Sequence, residues 1–307
     1  IIGNVMSRSM SCGEALVHLL EEYGVDTVFG IPGFHTLEIY RGLANSPIRH
    51  ILARNEQGAG FMADGYARMS GKPGVCLLIS GPGVTNACTP IGQAFADSIP
   101  ALFISSTTAS YSLGKGWGCT HEVTDLTAVT RPLTAFSATA TSPSDLEELL
   151  AEAFSFFSSA NRPRPVHIAV PYDILSEKVS TPLKARAQNI LQSMDSNYAA
   201  DVAKLLRQAK SPLILVGGGA KMASKEITQI AEILDAPVIS TNAGKGVVSE
   251  LHSLCIGGVI SRSNTHEFLS KCDVILAVGT EISEADSYVE RIPIKGKLIR
   301  IDIDPGK

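Results

Sequence analysis

Val75-Cys76-Leu77-Leu78-Ile79-Ser80-Gly81-Pro82-Gly83-Val84-Thr85-Asn86 reads as strand, turn and helix in twelve residues. The apolar run at its start has no polar alternation, which marks a strand buried on both faces, as in a parallel sheet. Gly81-Pro82-Gly83 turns the chain. Backbone amides at such a turn can approach a polar ligand closely, because the glycines carry no side chain. Asn86 stands where a dinucleotide fingerprint would require a third glycine, so that fingerprint is absent. Taken alone, the turn is also compatible with a generic strand–helix connection.

Outward from this stretch the same alternation continues. Ser11 is placed as an N-cap, Ala15, Leu16, Leu19, Leu20 and Tyr23 recur at helical spacing, and Gly24 stops the helix. A strand is expected at Thr27 to Ile31, broken by Pro32-Gly33, then a helix over Thr36 to Ala44 and a strand over Ile48 to Leu52. Glu56 to Met69 reads as a helix ending at Gly71. Leu102 to Ser105 and Val166 to Val170 repeat the buried-strand pattern. Strands separated by helices imply crossover connections and a doubly wound sheet.

A polar stretch at 180–196 reads as a linker. Beyond it, helices at Ala199 to Ala209 and Ser224 to Leu234 alternate with strands at Leu213 to Val216, Pro237 to Ser240, Val274 to Val278 and Leu298 to Ile303. The expected fold class is α/β, with two doubly wound, mainly parallel-sheet domains at 9–179 and 197–307. The second is expected to be incomplete, because the chain stops at Asp304-Pro305-Gly306-Lys307 directly after a strand.

Composition narrows the function classes. With 45% hydrophobic and 18% charged residues the chain can build a sizeable core. A net charge of −4, no Lys/Arg run and 6% aromatics argue against a nucleic-acid surface. No apolar stretch approaches the roughly 20 residues needed to cross a bilayer. Ile1 to Met10 lack the pattern of a signal peptide, and Met6 is a plausible start. Cys12, Cys76, Cys88, Cys119, Cys255 and Cys272 form no C-x-x-C pair and read as buried, reduced thiols of a cytoplasmic protein, with Cys119 the one candidate for exposure.

Several motifs carry nothing on inspection. Gly217-Gly218-Gly219 misses the dinucleotide fingerprint at Met222, and Ala243-Gly244-Lys245-Gly246 lacks the spacing and the Ser/Thr of a phosphate loop. The seven histidines, His18, His35, His50 and His167 among them, lack metal-ligand spacing. Asp64 and Arg68 are spaced as an ordinary i, i+4 surface pair. Glu56 sits in the first turn of a helix, where a carboxylate is favourable anyway. The small residues Gly58, Ala59 and Gly60 after it leave room for a close neighbour. His121-Glu122 ends a long glycine-rich loop, a usual location for substrate residues.

The motifs are more specific together. Phe29-Gly30-Ile31-Pro32-Gly33, Arg54-Asn55-Glu56-Gln57-Gly58-Ala59, Met62-Ala63-Asp64-Gly65-Tyr66-Ala67-Arg68, Ser80 to Asn86 and Ala96-Asp97-Ser98-Ile99-Pro100 follow in order. In that order and spacing they resemble the pyrimidine-binding domain of thiamine-diphosphate enzymes of the acetolactate synthase and 2-oxo-acid decarboxylase group. Val216 to Gly219, Thr241 to Gly246 and Ile301 to Pro305 resemble the Rossmann-like central domain of that group. Gly33 to Leu43 and Leu113 to Glu122 look closest to 5-guanidino-2-oxopentanoate decarboxylases. Thr120-His121-Glu122 stands where acetolactate synthases have Phe-Gln-Glu, and Asn55 where the family usually has His.

The resemblance implies thiamine diphosphate and Mg²⁺ as cofactors and a small 2-oxo acid as substrate, decarboxylated by way of an enamine. Carboligation of two 2-oxo acids is the alternative, and a non-catalytic nucleotide-binding fragment a second. It implies that Glu56 is the cofactor-activating carboxylate, buried and raised in pKa. It places Pro32, Gly33, Gly81, Pro82, Gly83 and Asn86 along the cofactor, and His121 and Glu122 toward the substrate, with Glu122 available to a guanidinium tail. No metal ligand is expected in these residues. Diphosphate and Mg²⁺ are expected in a third, C-terminal domain absent from the chain as written, so the chain alone is expected to be inactive. The active site would form between subunits of a homodimer or homotetramer. Gly279-Thr280-Glu281-Ile282-Ser283 departs from the arginine-containing segment of flavin-binding synthases, which argues against FAD.

Overall fold

The computed structural model describes residues 10–158, 162–180, 182–186 and 196–304. The expectations for the first nine residues and the last three, and most of the expected linker, lie outside the described residues. The chain divides into two compact units, Ile1–Leu191 and Gln192–Lys307.

In the first unit, strand β1 (Met10–Ser11) leads into helix α1 (Cys12–Glu22). Ser11 and Glu14 form a capping box: Glu14 N–H donates to Ser11 Oγ at 3.3 Å, and Ser11 N–H to Glu14 Oε2 at 2.7 Å. There follow β2 (Thr27–Gly30), α2 (Leu37–Leu43), β3 (Arg49–Leu52), α3 (Glu56–Ser70), β4 (Gly74–Leu78), α4 (Pro82–Ala96) and β5 (Ala101–Thr107). Then come α5 (Leu126–Thr130), β6 (Ser137–Thr139), α6 (Pro143–Ser158), β7 (Val166–Pro171), α7 (Tyr172–Ser176) and β8 (Lys178–Val179). Six strands form a parallel sheet in the order β3-β2-β4-β5-β7-β6. Among the described residues only the short β1–β8 pair is antiparallel.

Strand alternation divides the core. Val75 and Leu77 of β4 join Leu16, Leu20, Ile39 and Phe154 on one face; Cys76 and Leu78 join Ala59, Ala63, Ile91 and Phe103 on the other. From β2 the chain crosses outward to β3, then returns to lay β4 on the other side of β2. The carboxyl ends of β2 and β4 therefore flank a topological switch point, the usual place for a ligand in an open α/β sheet.

The second unit comprises α8 (Ser196–Gln208), β9 (Pro212–Val216), α9 (Ser224–Leu234), β10 (Val238–Ser240), β11 (Cys255–Gly257), α10 (Ser263–Leu269), β12 (Val274–Val278), α11 (Glu284–Ser287) and β13 (Lys297–Ile301). Its sheet is parallel throughout, in the order β11-β10-β9-β12-β13, the Rossmann-like order in which the first strand is central. After β9 the glycine turn folds onto the chain itself. Gly217 N–H donates to Val278 O at 2.9 Å and Gly219 N–H to Gly279 O at 3.0 Å. No helix among the described residues is long and apolar enough to cross a membrane.

Two expectations are corrected here. Asp64 and Arg68 are no ordinary surface pair. Asp64 is buried, because α3 lays that face on β4 and α4, and Arg68 grips it through Nε at 2.6 Å and Nη2 at 3.1 Å. The same guanidinium reaches Asp97 at 2.7 Å, fastening α3 to the end of α4. The cysteines are free thiols, but Cys88 and Cys255 are half-buried, as is Cys119; only Cys12, Cys76 and Cys272 are buried.

Candidate cofactor site

Glu56 is the first residue of α3, at the open carboxyl end of the sheet. Asn55 caps that helix, its Oδ1 accepting from Gln57 N–H at 2.8 Å, which gives the unusual asparagine a structural reason. Asn86, one turn into α4, donates from Nδ2 to Glu56 Oε2 at 2.9 Å. The residue that ruled out a dinucleotide fingerprint thus holds the candidate carboxylate. Glu56 is half-buried rather than buried, because a first-turn residue at the sheet edge has one side open.

The two glycine turns meet on Ile79. A Cβ at Gly83 would lie 2.8 Å from Ile79 Cγ2 and 3.8 Å from Glu56 Cγ, and a Cβ at Gly33 would collide with Ile79 Cδ1. A side chain at either position would displace Ile79, the residue on which both turns close. Pro82 opens α4 and is exposed; Pro32 is exposed on the opposite turn, after β2. The structure therefore brings Glu56, Pro32, Gly33, Gly81, Pro82, Gly83 and Asn86 to one edge of the switch point.

His121 and Glu122 separate in role. Gly81 has φ +59° and a Cβ there would press on the His121 carbonyl, which also accepts from Ser80 Oγ at 3.1 Å. His121 itself has φ +59°, an uncommon backbone for a non-glycine residue. Its ring faces His35 at 6.1 Å between centroids. Glu122 instead turns into its own loop. Oε1 accepts from Gly116 N–H at 2.9 Å and Trp117 N–H at 3.3 Å; Oε2 accepts from Gly118 N–H at 2.7 Å and Cys119 N–H at 2.9 Å. Desolvation alone would raise its pKa, but the four amide donors hold it below the usual glutamate value. Its lone pairs are committed to the loop here, so the expected contact with a guanidinium tail would require these amides to release it.

Sequence reasoning missed Ser80 as the clasp on His121, and it missed His35 and Tyr172 beside it. His35 and His121 lie far apart in the chain, and no spacing rule joins them; only the sheet order does.

Carboxylate, carboxamide and side-chain-free turn suit the polar edge and flat face of an aminopyrimidine. Asn86 engages Oε2, and the carboxylate keeps an open side. Among the described residues no grouping of three or more His, Cys, Asp or Glu could hold a metal ion.

Comparison with known proteins agrees. Residues 10–129 match the thiamine pyrophosphate enzyme N-terminal TPP binding domain, and residues 199–307 match the thiamine pyrophosphate enzyme central domain. A probable 2-ketoarginine decarboxylase of Pseudomonas aeruginosa is 51% identical over 304 residues, covering 98% of this chain and 54% of that protein. The acetolactate synthase large subunit of Corynebacterium glutamicum is 33% identical over 308 residues, 97% of this chain and 49% of its own. The isozyme 1 large subunit of Escherichia coli acetolactate synthase is 32% identical over 309 residues, 98% and 54% respectively. The chain spans about half the length of these curated relatives. It belongs to the thiamine pyrophosphate enzyme family, carries the N-terminal and central domains of that family, and so has thiamine diphosphate as its implied cofactor.

Proposed function

We propose that the whole protein is a thiamine-diphosphate-dependent decarboxylase of a 2-oxo acid, with 5-guanidino-2-oxopentanoate as the leading substrate. The observation that carries this is the Asn86–Glu56 contact at the switch point, in a chain whose similarity to a 2-ketoarginine decarboxylase far exceeds its similarity to synthases.

When bound, the cofactor supplies a nucleophilic carbon and a sink for the electrons released with CO₂. In this proposal Glu56 hydrogen-bonds the aminopyrimidine ring and exchanges a proton with it. Asn86 orients the Glu56 carboxylate through Oε2. Gly33 and Gly83 let both turns close on Ile79 beside it, and Gly81 and Pro82 line the pyrimidine side. His121 faces the substrate, fixed by the Ser80 clasp. Glu122 shapes the loop that carries His121. Mg²⁺ and the diphosphate are held by residues of the whole protein outside those described.

Assembly as a homodimer or homotetramer, with sites between subunits, belongs to the same proposal. Helix α3 supports it: Gly58 and Gly65 lie on one open face with no neighbour within 4 Å of an added Cβ, and exposed Phe61 and Met69 share that face. Carboligation is the second reading, favoured by the synthases among the relatives. Nucleotide binding by the second unit has less support, since two amides of its glycine turn, those of Gly217 and Gly219, are committed to Val278 and Gly279 carbonyls.

Full-length protein with thiamine diphosphate, Mg²⁺ and a panel of 2-oxo acids separates the readings by product. An aldehyde and CO₂ support the decarboxylase. A 2-hydroxy-3-oxo acid as main product would transfer the assignment to the synthases.

A further inference from the structure

His35 follows the Pro32-Gly33 turn and enters α2 through a 3₁₀ turn, Phe34–Thr36. It is 4% exposed, yet its Nδ1 has no hydrogen-bond partner. Buried polar side-chain atoms are nearly always paired, so this one calls for a ligand or an ordered water. Ser106 Oγ is a second buried atom without a partner. It lies near the carboxyl end of β5, on the strand face shared by Leu102 and Ile104, and the 3₁₀ turn packs against that strand.

Rings surround His35. Its imidazole stacks on Tyr172 at 5.5 Å and 24°, and meets Phe34 at 5.5 Å and 69° and His121 at 6.1 Å and 62°. Phe34 also abuts Tyr172 at 5.9 Å and 61°, and is 71% exposed. The neighbouring Tyr111 raises the pKa of the Tyr172 hydroxyl. These side chains come from the segments after β2, β5 and β7, on the same sheet edge as Glu56. His35 and Tyr172 stack directly and Phe34 and His121 meet His35 edge-on, so the four rings form a packed aromatic cluster with Phe34 and His121 on its exposed side.

We infer that Phe34, His35, His121 and Tyr172 form the subsite for the distal end of the substrate, and that it takes a guanidinium group, with His35 Nδ1 accepting one of its N–H bonds. This rests on the 2-oxo-acid reading of the site. A guanidinium is flat, carries only donors and stacks on aromatic faces, and the exposed ring of Phe34 beside the unpartnered His35 Nδ1 offers it a face and an acceptor. Burial, and then the neighbouring His121, lower the pKa of His35, which keeps an unprotonated acceptor available. Glu122, the carboxylate otherwise suited to a cationic tail, is occupied by four backbone amides. An ordered water between His35 and Ser106 is the competing occupant.

The test uses full-length protein with thiamine diphosphate and Mg²⁺ and three substrates: 5-guanidino-2-oxopentanoate, its neutral analogue 5-ureido-2-oxopentanoate, and 2-oxopentanoate, which has no polar tail. His35→Phe and Tyr172→Leu are expected to raise KM for the guanidino acid by about tenfold or more, with less than about twofold change for 2-oxopentanoate. His35→Asn keeps an acceptor and is expected to recover most of the loss, which separates recognition from a folding defect. Cofactor affinity is expected to stay unchanged in all three. Equal KM changes for all substrates would overturn the inference and leave the water. So would a wild-type protein that converts other 2-oxo acids but not the guanidino acid, or converts the ureido acid equally well. A wild-type protein that converts no 2-oxo acid would overturn the proposed function, and this inference with it.

Discussion

In the proposed site the chemistry would depend on one carboxylate, Glu56, and one carboxamide, Asn86. Glu56→Gln preserves shape and removes the ionisable group, so kcat of the full-length enzyme is expected to fall by about 10²-fold or more, the usual worth of a positioned acid–base group. An unchanged far-UV circular dichroism spectrum checks that the fold survives. At Glu122, replacement by Ala leaves four amides of residues 116–119 without their acceptor. Faster amide exchange confined to that loop is expected, with a higher KM, whereas unchanged exchange would contradict its role as loop organiser. Glu56 was legible in the sequence because its neighbours are small and its motif is contiguous. The partner of Glu122 was not, because a carboxylate facing its own backbone looks in sequence like one facing a substrate. His35 was illegible for another reason: its neighbours His121 and Tyr172 are adjacent only through strand order.

At the scale of elements, the fully buried strands β4, β5 and β7 announced themselves as unbroken apolar runs, and α1 and α3 by cap and period. The expected bounds of the strands differ by one or two residues, where pairing and not composition decides. Short pieces such as β6 and α5 left no signal of their own; both adjoin the buried His167. That imidazole is fully buried, Nε2 bonded to Ser105 at 2.8 Å and Nδ1 to Thr130 at 2.8 Å and Ser137 at 2.9 Å. Desolvation lowers its pKa from 6.5 to about 4. The shift is downward, so the neutral form is the folded one. Its contribution is full above pH 6.5 and is lost as pH falls toward 4, about 3 kcal/mol in all. An imidazole resonance of His167 titrating near pH 6.5 in the folded protein would contradict this. Arg68→Ala strands the buried Asp64 carboxylate and is expected to destabilise the first unit by about 3 kcal/mol, read from urea unfolding.

For the whole molecule, the sequence anticipated two mainly parallel α/β units and the family, because each strand–turn–helix repeat carries its own signature. The proposed association was not legible in composition, and it would engage the open face of α3. Phe61→Glu in the full-length protein is expected to shift its mass by light scattering toward the monomer and to lower activity in proportion. The central claim, that Glu56 serves a thiamine-diphosphate decarboxylation, is tested most directly by CO₂ release from 5-guanidino-2-oxopentanoate by full-length wild type and Glu56→Gln. Cofactor-dependent CO₂ with a matching aldehyde in the wild type, reduced by about 10²-fold in the variant, is the predicted result. Equal CO₂ release by the two proteins, or none from wild type with any 2-oxo acid, would contradict it.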